Sequence, residues 1–421
     1  AEGVPYRDWL SVGKIVTWQL RRLIPDRMFH LEVQARAGWT LEQMHQKLAE
    51  TRKAPDVIIL YAGHNEFASR YGWFHEVPHY DDERPNGIFA RLSAWLTVHS
   101  PACCLVEEAL QRERVAMRPP PSNRRLVDAP SCTSEQAEER LDDFRRRLDS
   151  IVGFCKRAGI LTILVIPPGN DAGFEPNRSV LPATTTKSGR EEFSGLVREA
   201  RKLESTEPLS RSIERYRGLI ALQAGFAECH FRLARLLERA GDFEEAFQSY
   251  VRARDLDGHP MRCPSAFQDV YREIARRYDA ILVDGPAVLR SRSPNGQLDD
   301  RLFNDAFHPA FEGQIALAEA ILGGLKQRQA VGWPDPAAPP RIDLVESAQH
   351  FDVTRAAWKS VADFASGFYG ITMPIRFDAT ERAVKQERYA EVVRSLAAGR
   401  EAESLDCPGI GLEPVQDRFK P

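Results

Sequence analysis

Short apolar runs recur along the first two thirds of the chain. The segments 55–67, 161–171 and 280–286 contain the continuous runs VIIL, LTILVI and AILV. A continuous run is typical of a parallel strand that is buried on both faces of a sheet. Residues 28–38 (MFHLEVQARAG) are predicted to form a further strand that ends in a glycine turn.

Segments with helical periodicity separate these runs. They lie at 7–24, 135–158 and 264–277, and a fourth follows His308. Thr133 and Gln136 have the spacing of a capping box at the start of the second helix, and Gly159 marks its end. Alternating strands and helices predict an α/β fold with a mostly parallel sheet and helices on both faces.

Two segments interrupt the alternation. Residues 69–130 are aromatic and rich in proline, and they follow a strand end, where ligands of open α/β sheets bind. We interpret them as a lid or partner surface. Residues 207–258 form the second interruption and are predicted to be a helical insertion. They divide the α/β domain into a first part at 1–206 and a last part at 259–330.

The helical insertion resembles a tetratricopeptide repeat (TPR) over 227–258, apart from His230 and Gly258 at its usual tryptophan and proline. Its small and apolar positions are Leu233, Ala234, Leu237, Gly241, Phe243, Ala246, Tyr250 and Ala253. Residues 209–222 look like the second helix of a decayed repeat. A unit with so few repeats cannot cover its own apolar face. We therefore expect it to pack on the host domain. It is also a candidate site for a protein partner.

The C-terminal part, 331–421, begins with a predicted stiff proline linker, VGWPDPAAPPRI at 331–342, followed by a helical segment rich in aromatic residues. The net charge of −3 does not favour nucleic-acid binding. The seven cysteines show no zinc-site spacing, and we expect neither a metal nor another cofactor. No signal peptide or apolar membrane span is visible. The chain opens at Ala1 in mid-motif, however, so its localisation stays open.

Polar residues with catalytic chemistry follow the predicted strands. Asp305 and His308 have D-x-x-H spacing just ahead of a helix, which lets one loop present a histidine and the carboxylate that orients it. Asn65 follows a buried strand, and its amide can donate to an anionic oxygen. Gly38 also follows a predicted strand, and its backbone N–H is a second candidate donor. Taken singly, each pattern also fits an ordinary turn.

Together these blocks resemble the SGNH, or GDSL-like, hydrolases. ARAG resembles the family's glycine block, with Gly38; AGHNEF its asparagine block, with Asn65; and NDAFHP its final block, with Asp305 and His308. The family commonly has Asp where Glu66 stands. The resemblance covers about 1–330 and is closest to bacterial members with inserted TPR repeats. It implies a flavodoxin-like, three-layer fold.

The fourth block, G-D-S-x-x-x-G, carries the family's nucleophile. If Gly3 is its closing glycine, the serine falls two residues before Ala1, and the first strand precedes it. Ser11 does not fit that pattern, because it is predicted to lie inside the first helix. The chain as given is therefore expected to be inactive until the upstream serine is restored.

The resemblance implies that His308 is the general base, that Asp305 orients it, and that Gly38 and Asn65 form the oxyanion hole. We predict hydrolysis of a small or carbohydrate-linked acyl ester. The predicted substrate contacts are His64, Glu66, Asn170, Asp171 and Arg178. Two alternatives remain: acyl transfer to a carbohydrate hydroxyl by the same groups, and a non-catalytic scaffold that binds a protein through the TPR-like unit.

Overall fold

The computed structural model describes residues 4–6, 10–51, 54–67 and 124–412. Within these ranges three strands form one parallel sheet in the order β1-β2-β3: β1 (Val57–Leu60), β2 (Leu161–Ile166) and β3 (Ile281–Asp284). Ile59 lies opposite Ile163, and Leu164 lies opposite Leu282. The protein is therefore of mixed α/β class, with far more helix than strand.

Helices surround this small sheet. In chain order they are α1 (Val12–Leu23), α2 (Leu41–Ala49), α3 (Ser134–Arg157), α4 (Lys187–Leu203), α5 (Leu209–Leu222), α6 (Ala227–Ala240), α7 (Phe243–Asp255), α8 (Ser265–Tyr278), α9 (Gly285–Arg290), α10 (Phe311–Gln327), α11 (Leu344–His350), α12 (Arg355–Thr372) and α13 (Thr380–Ala397). Among the described helices, none combines the length and apolar character that crossing a bilayer requires.

Both faces of the sheet are covered, as the apolar strands predict. Helices α3 and α8 pack on one face, where Leu164 and Ile166 of β2 join their apolar side chains. Helices α1 and α10 cover the other face, around Ile163 and Val165. Side chains of β2 alternate between these two clusters, so every residue from Thr162 onwards in this strand is buried. The result is a helix–sheet–helix arrangement of three layers.

Local sequence signals set the helix ends. Thr133 and Gln136 form the predicted reciprocal capping box, with hydrogen bonds of 3.2 and 3.0 Å, and Gly159 adopts φ +71° just after α3. Ser11, however, is the N-cap of α1 and accepts from the Lys14 N–H at 3.3 Å. The prediction that Ser11 lies inside the helix is wrong, because its hydroxyl starts the helix instead.

The predicted strand at 28–38 is also wrong. Residues 28–36 are irregular and largely exposed, with Met28 at 78%. No described strand lies beside them, so their backbone groups have no ladder to join. Most of the predicted lid at 69–130 lies outside the described residues, which resume at residue 124.

The TPR-like segment forms the antiparallel pair α6 and α7, joined through Gly241 at φ +86°. Six of its eight predicted small and apolar positions are buried, whereas Phe243 is half-buried and Gly241 is exposed. The helical unit, which we define as α4–α7, is larger than predicted, since α4 shares the same apolar cluster and starts at Lys187 rather than 207. Leu126 and Leu181 of the host join this cluster, so the unit packs on its host as expected.

The C-terminal part is integrated into the fold. Trp333 and Ile342 are buried in the cluster around α10, and the Ile342 N–H donates to Glu319 at 2.7 Å. The segment 331–342 is therefore not a free spacer, which corrects the linker prediction. Helices α12 and α13 pack together and extend the same cluster through Trp358 and Tyr369.

Candidate active site

A tight loop presents the Asp305–His308 pair. Phe303 and Pro309 form an isolated antiparallel bridge, which closes the loop around Asp305. One carboxylate oxygen of Asp305 accepts from the backbone N–H groups of Phe307 and His308 at 2.9 and 2.8 Å. The other oxygen lies 2.6 Å from His308 Nδ1. Aspartate favours such turns because its side chain bonds to the backbone that follows it, so the D-x-x-H spacing itself builds the pair.

The pair has the protonation that a general base needs. Asp305 is fully buried and acceptor-only when ionised, so Nδ1 of His308 carries the proton and Nε2 keeps its lone pair. Burial lowers the pKa of His308 below its usual 6.5, against the opposing effect of Asp305. The imidazole is therefore neutral at pH 7. Among the described residues Nε2 has no hydrogen-bond partner, and 8% of the side chain stays exposed.

Asn65 joins the asparagine block to the glycine block. Its amide Nδ2 donates to the Trp39 carbonyl at 2.9 Å, which leaves one amide hydrogen for another acceptor. Gly63 adopts φ +132°, and a Cβ there would lie 2.8 Å from Cys263 Sγ. Both the conformation and the close approach require glycine at this position.

Glu66 reinforces the same junction. Its carboxylate accepts from the Leu41 N–H at 2.9 Å, at the N-terminus of α2. Burial raises the pKa of Glu66 to about 7. Its backbone carbonyl accepts from Arg140 at 2.8 Å. Glu66 therefore helps to hold the loop before α2, and its predicted substrate contact stays a prediction.

Gly38 lies in that loop. It is exposed, adopts φ +79°, and has open space where a Cβ would point. Its backbone N–H has no acceptor among the described residues. The structure therefore fixes Gly38 and Asn65 to one another through Trp39.

His64 joins these blocks to the Asp–His loop. Its imidazole stacks on Phe307 with ring centroids 4.9 Å apart, and Phe307 in turn lies 4.4 Å from the His308 ring. The Cys263 N–H donates to His64 Nδ1 at 3.1 Å. Three blocks that are far apart in sequence thus meet at the carboxyl ends of the strands.

The polar loop after β2 does not face this site. Asn170, Asp171 and Arg178 are at most 2% exposed. Asn170 donates to the Asp305 carbonyl and to Asp300, both at 2.8 Å. Asp171 lies 2.8 Å from Arg254. The predicted substrate contacts at these three residues are corrected, because the helical unit and the C-terminal part cover the loop and leave these side chains buried.

The C-terminal part supplies a wall that the sequence did not predict. Phe364 of α12 meets the His308 ring edge-on, with centroids 5.6 Å apart, and remains 37% exposed. A cavity of about 260 Å³ lies beside it, lined by Val4, Pro5, Ser360, Asp363 and Phe364. The aromatic residues of 331–421 were visible in the sequence, but nothing in their spacing assigned one of them to His308.

Comparisons with protein-family models, curated proteins and solved structures found no match to this chain. In the described ranges, no group of three or more His, Cys, Asp or Glu side chains is arranged to hold a metal ion. The interpretation of the site therefore rests on its geometry.

Proposed function

We propose that this chain acts as an ester hydrolase of the SGNH type, in which His308 and Asp305 work with a serine that precedes Ala1. The observation that carries the proposal is the convergence of three separate blocks. His308 is held by Asp305 at 2.6 Å, and Phe307 links it to His64, the neighbour of Asn65. A turn-forming D-x-x-H pattern alone does not require His64 and Asn65 to lie beside it.

The sheet order supports the finer fold assignment. A flavodoxin-like sheet has the strand order 2-1-3-4-5 and binds its ligands at the carboxyl ends of the strands. The observed order β1-β2-β3 corresponds to the last three strands of that series. In this assignment the first two strands of the series have no counterpart among the described strands.

The start of the described chain also supports the proposal. The hydroxyl of Tyr6 donates to Asn304 at 3.1 Å, and its ring packs against Phe311. Both partners flank the Asp–His loop. The contacts of Tyr6 therefore bring the start of the described chain close to the Asp–His loop.

The proposed reaction uses these groups in sequence. His308 Nε2 takes the serine proton as Oγ bonds to the ester carbonyl carbon, and the carbonyl π electrons move to the oxygen. The carbon–alkoxide bond then breaks, and His308 returns the proton to the departing alcohol. Water repeats both steps on the acyl-enzyme and releases the carboxylic acid. The Gly38 N–H and the second Asn65 amide hydrogen stabilise the oxyanion.

The test compares p-nitrophenyl acetate hydrolysis by the 421-residue chain and by the chain with its native upstream residues. We expect turnover only from the longer form, with loss on His308→Ala and retention on His30→Ala, an exposed control. If the folded longer form does not turn over, ester hydrolysis is refuted. Transfer of the acyl group to a carbohydrate acceptor by that form would instead identify an acyltransferase.

A further inference from the structure

A second histidine lies in the site without a role in the scheme above. His64 is 6% exposed and lies between Gly63 and Asn65. Its Nδ1 accepts from the Cys263 N–H at 3.1 Å, so this nitrogen carries no proton. The proton of the neutral ring must therefore reside on Nε2.

Nε2 of His64 is an unusual donor. It is fully buried and has no hydrogen-bond partner among the described residues. Buried donors in native proteins are nearly always paired, and an unpaired one beside a candidate catalytic histidine is consistent with an acceptor that arrives with a ligand.

The surroundings keep this imidazole neutral. Burial lowers the pKa of His64 well below 6.5, and the positive charges of Arg254 and Arg262, together with His308, act in the same direction. A neutral imidazole donates its N–H without losing the proton. It is therefore suited to stabilise an anionic oxygen while His308 does the proton transfer.

We propose that the Nε2–H of His64 is a further oxyanion donor that binds the carbonyl oxygen of the substrate, an inference that rests on the proposed ester hydrolysis. Two contacts support this position. His64 adjoins Asn65 in the chain, and its ring stacks on Phe307, which lies against His308. The donor is set before substrate binds, because the Cys263 N–H fixes the tautomer and Phe307 fixes the ring plane.

The chemical class of the ligand follows. The carbonyl oxygen gains negative charge when serine Oγ bonds to the carbon, and the N–H donates more strongly to the oxyanion than to the ester. The effect should therefore fall on kcat more than on KM. The product carboxylate offers the same anionic oxygen, so acetate is a suitable probe of the site.

Two substitutions separate this role from a structural one. His64→Asn keeps an acceptor for the Cys263 N–H but removes the outer donor. His64→Gln places an amide donor near the former Nε2 and loses the inner acceptor. We expect His64→Asn to lower kcat about 100-fold with little change in KM or Tm, and His64→Gln to recover part of that loss. A purely structural histidine predicts the reverse order, which would overturn the proposal.

A titration of the 421-residue chain with acetate makes the result independent of turnover. The imidazole ¹⁵N signals of His64, assigned by their disappearance in His64→Asn, are followed by NMR. A saturable shift of the Nε2 signal supports the donor role even if no ester is hydrolysed, in which case only the proposed function fails. An Nε2 signal that does not move with acetate overturns the inference, whatever the catalytic result.

Discussion

Two buried polar loops differ in the partners of their charged and polar side chains. The loop at 169–179 and the loop at 303–309 are both dense in polar groups and almost fully buried. In the first, carboxylates meet guanidinium groups of the protein, as Asp171 meets Arg254 at 2.8 Å. In the second, Asp305 is satisfied but His308 Nε2 has no partner among the described residues. Polar density therefore does not mark the reactive site; the second loop differs because it presents an imidazole nitrogen beside the carboxylate that orients the ring.

The first loop belongs to an interior polar cluster, which we define as Glu175, Glu228, Arg376 and Arg382. Arg376 lies 2.9 Å from Glu228, and Arg382 lies 3.5 Å from Glu175. These four residues are at most 1% exposed. They join the loop after β2, the helical unit and the C-terminal part, so their charges hold the architecture together rather than binding a substrate.

The largest expected effect concerns the second loop. Asp305→Asn keeps an oxygen for the N–H groups of Phe307 and His308, so the turn survives. The amide then presents a donor to His308 Nδ1, which favours the wrong tautomer. We expect kcat of the upstream-extended chain to fall about 10⁴-fold. A decrease of less than about tenfold, measured with p-nitrophenyl acetate, would show that Asp305 does not orient the base.

In the interior polar cluster the expected effect is on folding. Arg376→Met leaves Glu228 buried with one fewer cation, which should lower the free energy of unfolding by about 3–5 kcal/mol. Denaturant unfolding measures this, and Arg394→Met, which removes exposed pairs with Glu387 and Glu391, should leave the free energy of unfolding nearly unchanged. Equal decreases in the free energy of unfolding for the two variants would show that the interior polar cluster stabilises the fold no more than an exposed ion pair does.

As the pH is lowered, the fold should lose stability first through its buried histidines and only later through its carboxylates. Burial lowers the pKa of His259 to about 3, and Arg178, Arg124 and Arg382 act in the same direction. Below pH 6.5 His259 is protonated in the unfolded chain but stays neutral in the folded chain. The free energy of unfolding therefore decreases as the pH is lowered from about 6.5 to about 3. His259 alone should cost roughly 1.4 kcal/mol by pH 5.5. His259→Gln should make the free energy of unfolding depend less on pH between pH 8 and 5.5. An unchanged pH dependence would contradict this.

The smallest effect is a pKa difference within the reactive pair. We expect His308 to titrate below pH 6.5 in an NMR experiment on the 421-residue chain, because burial outweighs Asp305. Asp305→Asn should lower the pKa of His308 further, since the carboxylate favours the charged imidazole. A value above 6.5 in the unmodified chain would mean that the ion pair dominates.

Features that depend on local sequence were predictable. The sequence predicted β1, β2 and β3, because a strand buried on both faces needs a continuous apolar run. It also predicted the capping box of α3, because the two residues that form it are three positions apart. The Asp305–His308 pair follows from a four-residue turn. The helix pair α6 and α7 follows from its small and apolar positions.

Features that depend on distant partners were not predictable. Arg382 meets Glu175 across 207 positions, and no local pattern shows that this pairing occupies the loop after β2. The strand at 28–38 failed because a strand needs a neighbour as well as a pattern. Phe364 could not be assigned to His308, because its helix was predicted only to dock.

Active-site labelling tests the central claim most directly. The chain with its native upstream residues is treated with a fluorophosphonate, whose phosphorus bonds to an activated serine as fluoride leaves, and the adduct is located by mass spectrometry. We expect one adduct, on a serine ahead of Ala1, that disappears in His308→Ala and persists in His30→Ala. No adduct on the folded protein, or one that survives His308→Ala, would contradict a hydrolase built on Asp305 and His308.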